Sequence, residues 1–283
     1  MPELPEVETI KLGLQDKIIG LKISDIEVRV AKIFQGDPKE VISAKIKNIN
    51  RRAKILIFDL DNDKSLVIHL KLTGQLVYHK NGASAIFGHP IPFAGTTLPS
   101  KTTHVIFTFS GGSKLFYNDV RKFGWIKVVA TDQVPKLQIM TEFGPEPLTP
   151  EFTEEKFKEI ILRKKTPIKL VLMDQVQIAG VGNIYANEAL FLAKIHPQKK
   201  ANTLSNKEIT KLYKSLFLVL REGIKYGGSS ENAYVDALGG LGKMQEYLRV
   251  YGKTGEKCPK CKDVIKRIAL GGRGTFFCPK CQK

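Results

Sequence analysis

Residues 104–129, HVIFTFSGGSKLFYNDVRKFGWIKVV, decide the fold class. Three short runs within them, HVIFTF, KLFYNDV and GWIKVV, are rich in β-branched and aromatic residues, with Gly, Ser, Asn and Asp between. Such side chains suit a pleated, half-buried surface, and such separators suit turns. Toward the N-terminus, ISDIEVRV (23–30), KILIFDL (54–60), SLVIHL (65–70) and QLVYH (75–79) have the same character. Seven such runs before residue 130 predict an antiparallel sandwich or barrel-like domain. Ahead of them Val7, Ile10, Leu14 and Ile18 recur at helical spacing, with Gly20 as the stop. Residues 81–101, NGASAIFGHPIPFAGTTLPSK, carry Gly and Pro without a period and read as a long surface loop.

Near residue 135 the pattern changes. GPEPLTP (144–150) is a Pro-rich boundary, and helical segments follow. In SNKEITKLYKSLFLVLREGIKYGG, Ser205 and Glu208 have capping-box spacing, and Ile209, Leu212, Tyr213, Leu216 and Leu220 form one face before Gly227. The reading is a β-rich domain over 1–135, a linker over 136–150, a helical domain over 151–250 and a small appendage over 251–283.

The 283 residues are 42% hydrophobic and 26% charged, which excludes a mostly disordered chain. No apolar run approaches the roughly 18 residues of a membrane-spanning helix. The opening MPELPEVETI holds three acids and no base, so no secretory or transit peptide is expected there. The 45 Lys and Arg exceed the 28 Asp and Glu by 17, which points to a polyanionic partner, nucleic acid ahead of a membrane surface. Most of the excess lies late: net +5 over 1–150 and +12 over 151–283.

All four cysteines lie in the appendage. Cys258, Cys261, Cys278 and Cys281 form C-x2-C-x16-C-x2-C. Two such pairs complete a tetrahedral thiolate set for one zinc ion, and with no open position the metal is structural. Two disulfides are the competing reading, disfavoured by the lack of a secretory signal. The ribbon's tip, Gly271-Gly272-Arg273-Gly274-Thr275, suits close approach to a phosphate backbone. Upstream, two glycines precede Asn183 and a helical run; Asn is a favoured N-cap, and a helix start with free N–H groups receives phosphate. Lys169, one helix earlier, could approach the same anion. Finally, removal of Met1 would expose a secondary amine on Pro2. An α-amino group titrates near ~8, so it is a nucleophile close to neutral pH, with Glu3 beside it to exchange protons. Pro and acids at a helix start also have a purely structural reading.

Together, PELPEVE, RRAKILIF, HLKLTG, DVRKFG, the LMD…GVGNIYANE…AKIHP block, GGSS, LRVYGKTGEKC and the cysteine ribbon resemble the formamidopyrimidine-DNA glycosylase family of bacterial base-excision repair enzymes. The resemblance covers most of the chain. It implies an α+β multidomain fold: an N-terminal β-sandwich flanked by helices, a helix–two-turn–helix DNA-binding domain and a zinc-ribbon hairpin. It implies a monomeric, cytoplasmic, nucleoid-associated DNA glycosylase/AP lyase, with one Zn2+, acting on duplex DNA that carries oxidised purines or abasic sites.

Residue by residue, the resemblance assigns Pro2 as nucleophile, Glu3 as general acid, Glu6 as a supporting acid and Lys54 as a lysine holding phosphates beside the lesion. His104, Arg121, Lys169, Asn183 and Arg273 match DNA contacts. Leu72, Arg121 and Phe123 match a trio that fills the space left by the flipped base. Taken alone, Leu72 and Phe123 suit ordinary core, and a lone His104 suits a structural role. The Gly227–Ser230 region begins a loop that in relatives closes over the flipped purine. Leu72 stands where the family usually has Met, a near-isosteric change. Lys122 replaces a frequent second Arg, and the 81–101 loop is longer than usual, either an extra DNA contact or a neutral insertion. Two rivals remain: an endonuclease VIII-like glycosylase for oxidised pyrimidines, whose members typically begin PEGPE, and a non-catalytic lesion-binding protein, which would lack Pro2, Glu3 or Lys54.

Overall fold

The computed structural model describes residues 1–88, 97–229 and 242–283. The chain forms two compact units, one of residues 1–141 with 224–245 and one of 142–223 with 246–283. The segment 224–245 thus belongs with the β-rich unit, although it follows the long helix of the other.

The first unit begins with α1 (Leu4–Ile18) and continues through β1 (Ile23–Val28), β2 (Phe34–Gln35), β3 (Ile46–Arg52), β4 (Ile55–Leu60), β5 (Lys64–His69), β6 (Gly74–Lys80), β7 (Ala83–Gly88), β8 (Thr103–Phe109), β9 (Lys114–Asp119) and β10 (Trp125–Ala130) to the short α2 (Gln138–Thr141). Two five-stranded sheets result, ordered β1-β8-β9-β6-β7 and β2-β10-β5-β4-β3. Ile49 and Phe58 of one sheet, Leu76, Phe107 and Tyr117 of the other, and Ile10 and Leu14 of α1 join a single buried core, so the architecture is a sandwich. Leu4, Val7, Ile10, Leu14 and Ile18 are essentially fully buried, and α1 packs on β3, β4 and β7. At roughly 1.5–3 kcal/mol for each buried aliphatic side chain, this packing outweighs any single cap in holding the N-terminus.

All seven strand-like runs are strands, and three more accompany them. β2 is two residues long. β3, IKNINRR, buries only Ile46 and Ile49 and otherwise reads as polar. β7 corrects the reading of 81–101 as loop throughout: Ala83–Gly88 pairs antiparallel with β6. The turn between them is Asn81-Gly82, both at positive φ, a strong two-residue hairpin signal hidden by the weakly β-forming ASAIFG that follows. Residues 89–96 of that stretch lie outside the described residues.

The second unit contains α3 (Glu154–Leu162), α4 (Ile168–Met173), α5 (Asn183–Ala193), most of α6 (Asn206–Lys225) and the hairpin of β11 (Lys266–Leu270) and β12 (Arg273–Phe277); α7 (Met244–Tyr247) spans the boundary between the units. α6 starts as expected: Ser205 Oγ accepts the Glu208 N–H, and the Glu208 carboxylate accepts the Ser205 N–H at 2.9 Å. Ile209, Leu212, Leu216 and Leu220 are buried, while Tyr213 stacks on Phe152 and donates to its carbonyl at 2.8 Å. α5 differs from expectation by one position, since Gly182 is the N-cap and Asn183 the first helical residue. That frees the Asn183 side chain from capping. No helix among the described residues is long and apolar enough to cross a membrane.

Candidate active site and nucleic-acid interface

In the first unit, Pro2 is buried directly before α1, and Glu3 and Glu6 are 3% and 2% exposed. The helix start holds them. The Glu6 carboxylate accepts the Glu3 backbone N–H at 2.8 Å through Oε2, the arrangement of a capping box. Its Oε1 accepts the Ser229 N–H at 2.8 Å, and Gly228 lies against the same side chain. Glu6 therefore ties the N-terminus to the end of segment 224–229. The covering loop expected from Gly227 onward lies, from residue 230 to 241, outside the described residues.

Lys54 is 5% exposed in the turn between β3 and β4, following Ala53 at positive φ. That turn is fastened to α1. Arg51 pairs with Glu8 at 2.7 Å and donates to the Ala53 carbonyl at 2.9 Å. Burial works against the Glu8 carboxylate, but hydrogen bonds from Lys11 and Arg51 outweigh it and hold its pKa below the usual range. Pro2, Glu3 and Lys54 thus stand on elements connected by buried packing and a partly buried ion pair. His69, in register with Ile55 across β4 and β5, was not anticipated. Burial first, then the charges of Lys71 and Lys54, push its pKa down to about 3, so the ring is neutral and its Nδ1 accepts the Lys71 N–H.

Leu72 and Phe123 are not core residues. Leu72 is half-buried in the β5–β6 turn and Phe123 is 52% exposed in the β9–β10 loop, with the Arg121 guanidinium 4.6 Å from its ring centroid. His104 is buried in β8 and donates from Nε2 to the Asp119 carbonyl at 2.6 Å, an internal contact.

In the second unit, Lys169 is fully buried; its ammonium donates to the Gly274 carbonyl at 3.1 Å and to Thr275 Oγ1 at 2.6 Å. Asn183 donates to the same carbonyl at 3.1 Å, and Asn187 Oδ1 accepts the Phe276 N–H at 2.8 Å. One residue from that carbonyl, Arg273 is exposed where β12 leaves the Gly271-Gly272 turn, whose two positive φ values only glycine adopts cheaply. The structure thus gathers Lys169, Asn183 and the Arg273 hairpin, with the first two side chains gripping the strand that carries the third. Glu188 was also missed. Its fully buried carboxylate accepts the N–H groups of Arg249, Val250 and Tyr251, each at 2.9 Å, and burial outweighs these bonds in raising its pKa. A Glu within a helix reads as solvated surface until its backbone partners, some sixty residues later, are known.

The four cysteine Sγ atoms lie within 4.8 Å of one another, with Cys261–Cys278 at 3.4 Å and Cys258–Cys281 at 3.9 Å. Disulfide sulfurs sit about 2.05 Å apart, whereas thiolates around a tetrahedral zinc with ~2.3 Å bonds sit about 3.8 Å apart. The set fits one structural zinc ion. A backbone bond from Asp263 holds the Cys261 thiol down to about 7, while burial and the neighbouring sulfurs push Cys281 up to about 12, a repulsion that a divalent cation offsets. Cys258 and Cys278 pack with Phe191, Val250 and Ile265, so the metal cluster is continuous with the core of its unit.

Comparison with known proteins gives three family matches: the formamidopyrimidine-DNA glycosylase N-terminal domain over residues 1–126, the formamidopyrimidine-DNA glycosylase H2TH domain over 143–234, and the zinc finger found in FPG and IleRS over 255–283. The formamidopyrimidine-DNA glycosylase of Pelotomaculum thermopropionicum is 42% identical, covering 100% of this chain and 99% of that protein. That of Streptococcus pneumoniae is 40% identical over the same shares. Among solved structures, a Lactococcus lactis FPG variant with Fapy-dG containing DNA matches with a TM-score of 0.88 at 41% identity, covering all of both chains. The Lactococcus lactis Fpg complex with abasic-site DNA matches with a TM-score of 0.88 at 40% identity, covering 99% of each.

Proposed function

The chain belongs to the formamidopyrimidine-DNA glycosylase family, and from that membership we propose that it excises 8-oxoguanine and formamidopyrimidines from duplex DNA and then cuts the strand. It acts as a monomer in the bacterial cytoplasm at the nucleoid. The observation that carries this reading is the buried start of α1, where Pro2 precedes Glu3 and the Glu6 carboxylate binds the Glu3 N–H. The full-length similarity to an Fpg solved with abasic-site DNA supports it. In this reading chemistry lies in 1–135, 136–150 is a linker, and 151–250 and 251–283 bind DNA, with Ser229 of the third segment also backing the Pro2 end through Glu6.

With Met1 removed, the Pro2 nitrogen is a secondary amine. Its lone pair attacks C1′ of the damaged nucleotide, the glycosidic bond breaks, and the base leaves carrying the proton that the Pro2 nitrogen gives up. Protonated Glu3 donates to O4′ as the C1′–O4′ bond opens, which leaves an iminium between Pro2 and C1′. The iminium withdraws electrons from C2′. Loss of a C2′ proton expels the 3′-phosphate, and a second elimination expels the 5′-phosphate. Lys54 holds the phosphates beside the lesion, with Glu6 supporting the same pocket. Leu72, Arg121 and Phe123 occupy the gap left by the everted base. His104, Lys169, Asn183 and Arg273 serve the DNA-bound state, His104 and Lys169 from buried positions and Arg273 by direct phosphate contact. The four cysteines hold the zinc that shapes the Arg273 hairpin.

Borohydride reduction on an abasic-site duplex tests this chemistry. Protein beginning at Pro2 will give a covalent protein–DNA crosslink. Protein that keeps Met1 will give none, because its residue-2 nitrogen is an amide. Equal crosslinking by the two forms would remove Pro2 from the mechanism. Arg273→Ala will weaken binding to every duplex sequence alike and lower the slope of log K against log salt by about one, the signature of one lost phosphate contact. Titration at several salt concentrations measures it, and an unchanged slope would exclude that contact.

A further inference from the structure

Asp119, at the end of β9, is fully buried, yet its carboxylate faces the backbone of two loops. One oxygen accepts the Gly124 N–H at 2.8 Å. The other accepts the Arg121 N–H at 3.1 Å and a short bond from the Thr73 hydroxyl. Thr73 Oγ1 in turn accepts the Arg121 N–H at 3.1 Å. Thus one carboxylate bonds to both sides of Phe123, at residues 121 and 124, and to the residue next to Leu72.

The surroundings leave this carboxylate little freedom. The Asp119 N–H donates to the Thr102 carbonyl at 2.9 Å, and its own carbonyl accepts from His104. Gly124 has no room for a side chain: a Cβ there would meet the Tyr117 hydroxyl at 1.8 Å and the His69 carbonyl at 2.8 Å. Between these fixed ends Lys122 takes positive φ, and Val120 and Phe123 are about half exposed. A rigid buried base therefore carries a protruding apolar and cationic tip. An ordinary solvent loop needs neither the buried acid nor the exposed Phe.

We propose that Asp119 is the positioning residue that joins the Leu72 turn and the Arg121–Phe123 loop into one preassembled wedge. Asp119 does not touch DNA. It sets where three separate side chains stand before the duplex arrives, so their ordering is not charged to base eversion. The inference rests on the reading above that these three side chains fill the duplex. It adds the group that holds them, and it explains a buried acid that the chemistry at Pro2 does not use.

Asp119→Asn is the test, because the amide keeps the volume and one acceptor but sets an N–H2 group against donors. Three measurements are made on protein beginning at Pro2. Single-turnover release of 8-oxoguanine from duplex should fall about thirtyfold, within the ~10²-fold that a misplacement near 1 Å costs. Borohydride trapping on a single-stranded abasic oligonucleotide, which has no stack to enter, should be unchanged. The fluorescence rise of 2-aminopurine opposite a duplex abasic site, which reports unstacking, should be lost at saturating protein. Thr73→Val should show the same pattern more weakly. Wild-type excision by Asp119→Asn, or a parallel fall in single-stranded trapping, would overturn the proposal, the latter by making Asp119 a general support of the fold. Failure of the underlying reading looks different: Leu72→Ala and Phe123→Ala would then excise normally, or wild-type protein would not trap at all.

Discussion

Glu3→Gln will lower base release by about a thousandfold, within the ~10²–10⁴ range of a positioned general acid, and leave duplex binding intact. The substitution leaves the local fold in place. The capping box that closes α1 pairs the Glu3 backbone N–H with the Glu6 carboxylate, which the substitution does not touch, and the Glu3 side chain with the Glu6 backbone N–H, for which Gln keeps an amide oxygen as acceptor. The five buried aliphatic residues of α1 hold the helix against the sandwich regardless of the side chain at position 3. What is lost is a proton that can be given to O4′ and taken back. Single-turnover excision with a matched equilibrium titration separates the two quantities. Normal turnover would remove Glu3 from the chemistry, and loss of both would show that its carboxylate serves the fold. The two rivals also part here. A lesion-binding protein shows no excision to lose, while an oxidised-pyrimidine enzyme loses activity on a different lesion panel.

Stripping the zinc will have the second largest effect. With a chelator, or with Cys278→Ser, affinity for abasic-site duplex should fall by about two orders of magnitude or more, because folding of such ribbons draws on the ~10–16 kcal/mol of structural zinc binding. The route is physical and local. Cys258 and Cys278 pack with Phe191, Val250 and Ile265, so losing the ion loosens the apolar seam beneath β11 and β12. The Gly274 carbonyl then leaves Lys169 and Asn183, and Arg273 loses its station. Metal content by atomic spectroscopy, measured with the binding titration, checks this. Metal-free protein with undiminished affinity would show that the ribbon does not carry DNA binding. The fully buried Lys169 loses its bonds to the Gly274 carbonyl and Thr275 Oγ1 when the hairpin loosens, and readdition of Zn2+ to the chelated sample should restore both hairpin and affinity.

Much of the architecture was legible because its signals are local. The helical spacing from Val7 to Ile18 and the Ser205–Glu208 cap each report a structure formed within a few residues of the signal, and each Cys-x2-Cys pair marks itself locally although the two pairs meet across seventeen to twenty-three residues. β7 escapes a sequence reading although its own local signal, Asn81-Gly82, is in plain sight, because the weakly β-forming ASAIFG and the Gly- and Pro-bearing residues after it mask the hairpin. Other features could not be read at short range. Asp119 is an acid at a strand end, which suits a turn, and its role depends on donors at 73, 121 and 124. Asn183 looks like a cap and is instead the first helical residue, its amide turned to the hairpin carbonyl ninety-one residues away. Lys169 looks like a free cation near an anion site, yet it is fully buried with hydroxyl and carbonyl partners that the sequence places more than one hundred residues later. Where the signal and the partner are far apart in the chain, type and spacing alone name the residue and miss the bond.

The bond from the Ser229 N–H to Glu6 has a consequence for how the protein is made. The β-rich unit is the first to leave the ribosome, but one of its pieces is residues 224–245. At roughly 5–20 residues per second, the N-terminal segment waits on the order of ten seconds for that strip of chain. During the wait the Glu6 Oε1 lacks the bond from the Ser229 N–H. Synthesis order therefore leaves the chemistry-bearing end of the molecule among the last places to be completed, long after the sandwich around it has closed.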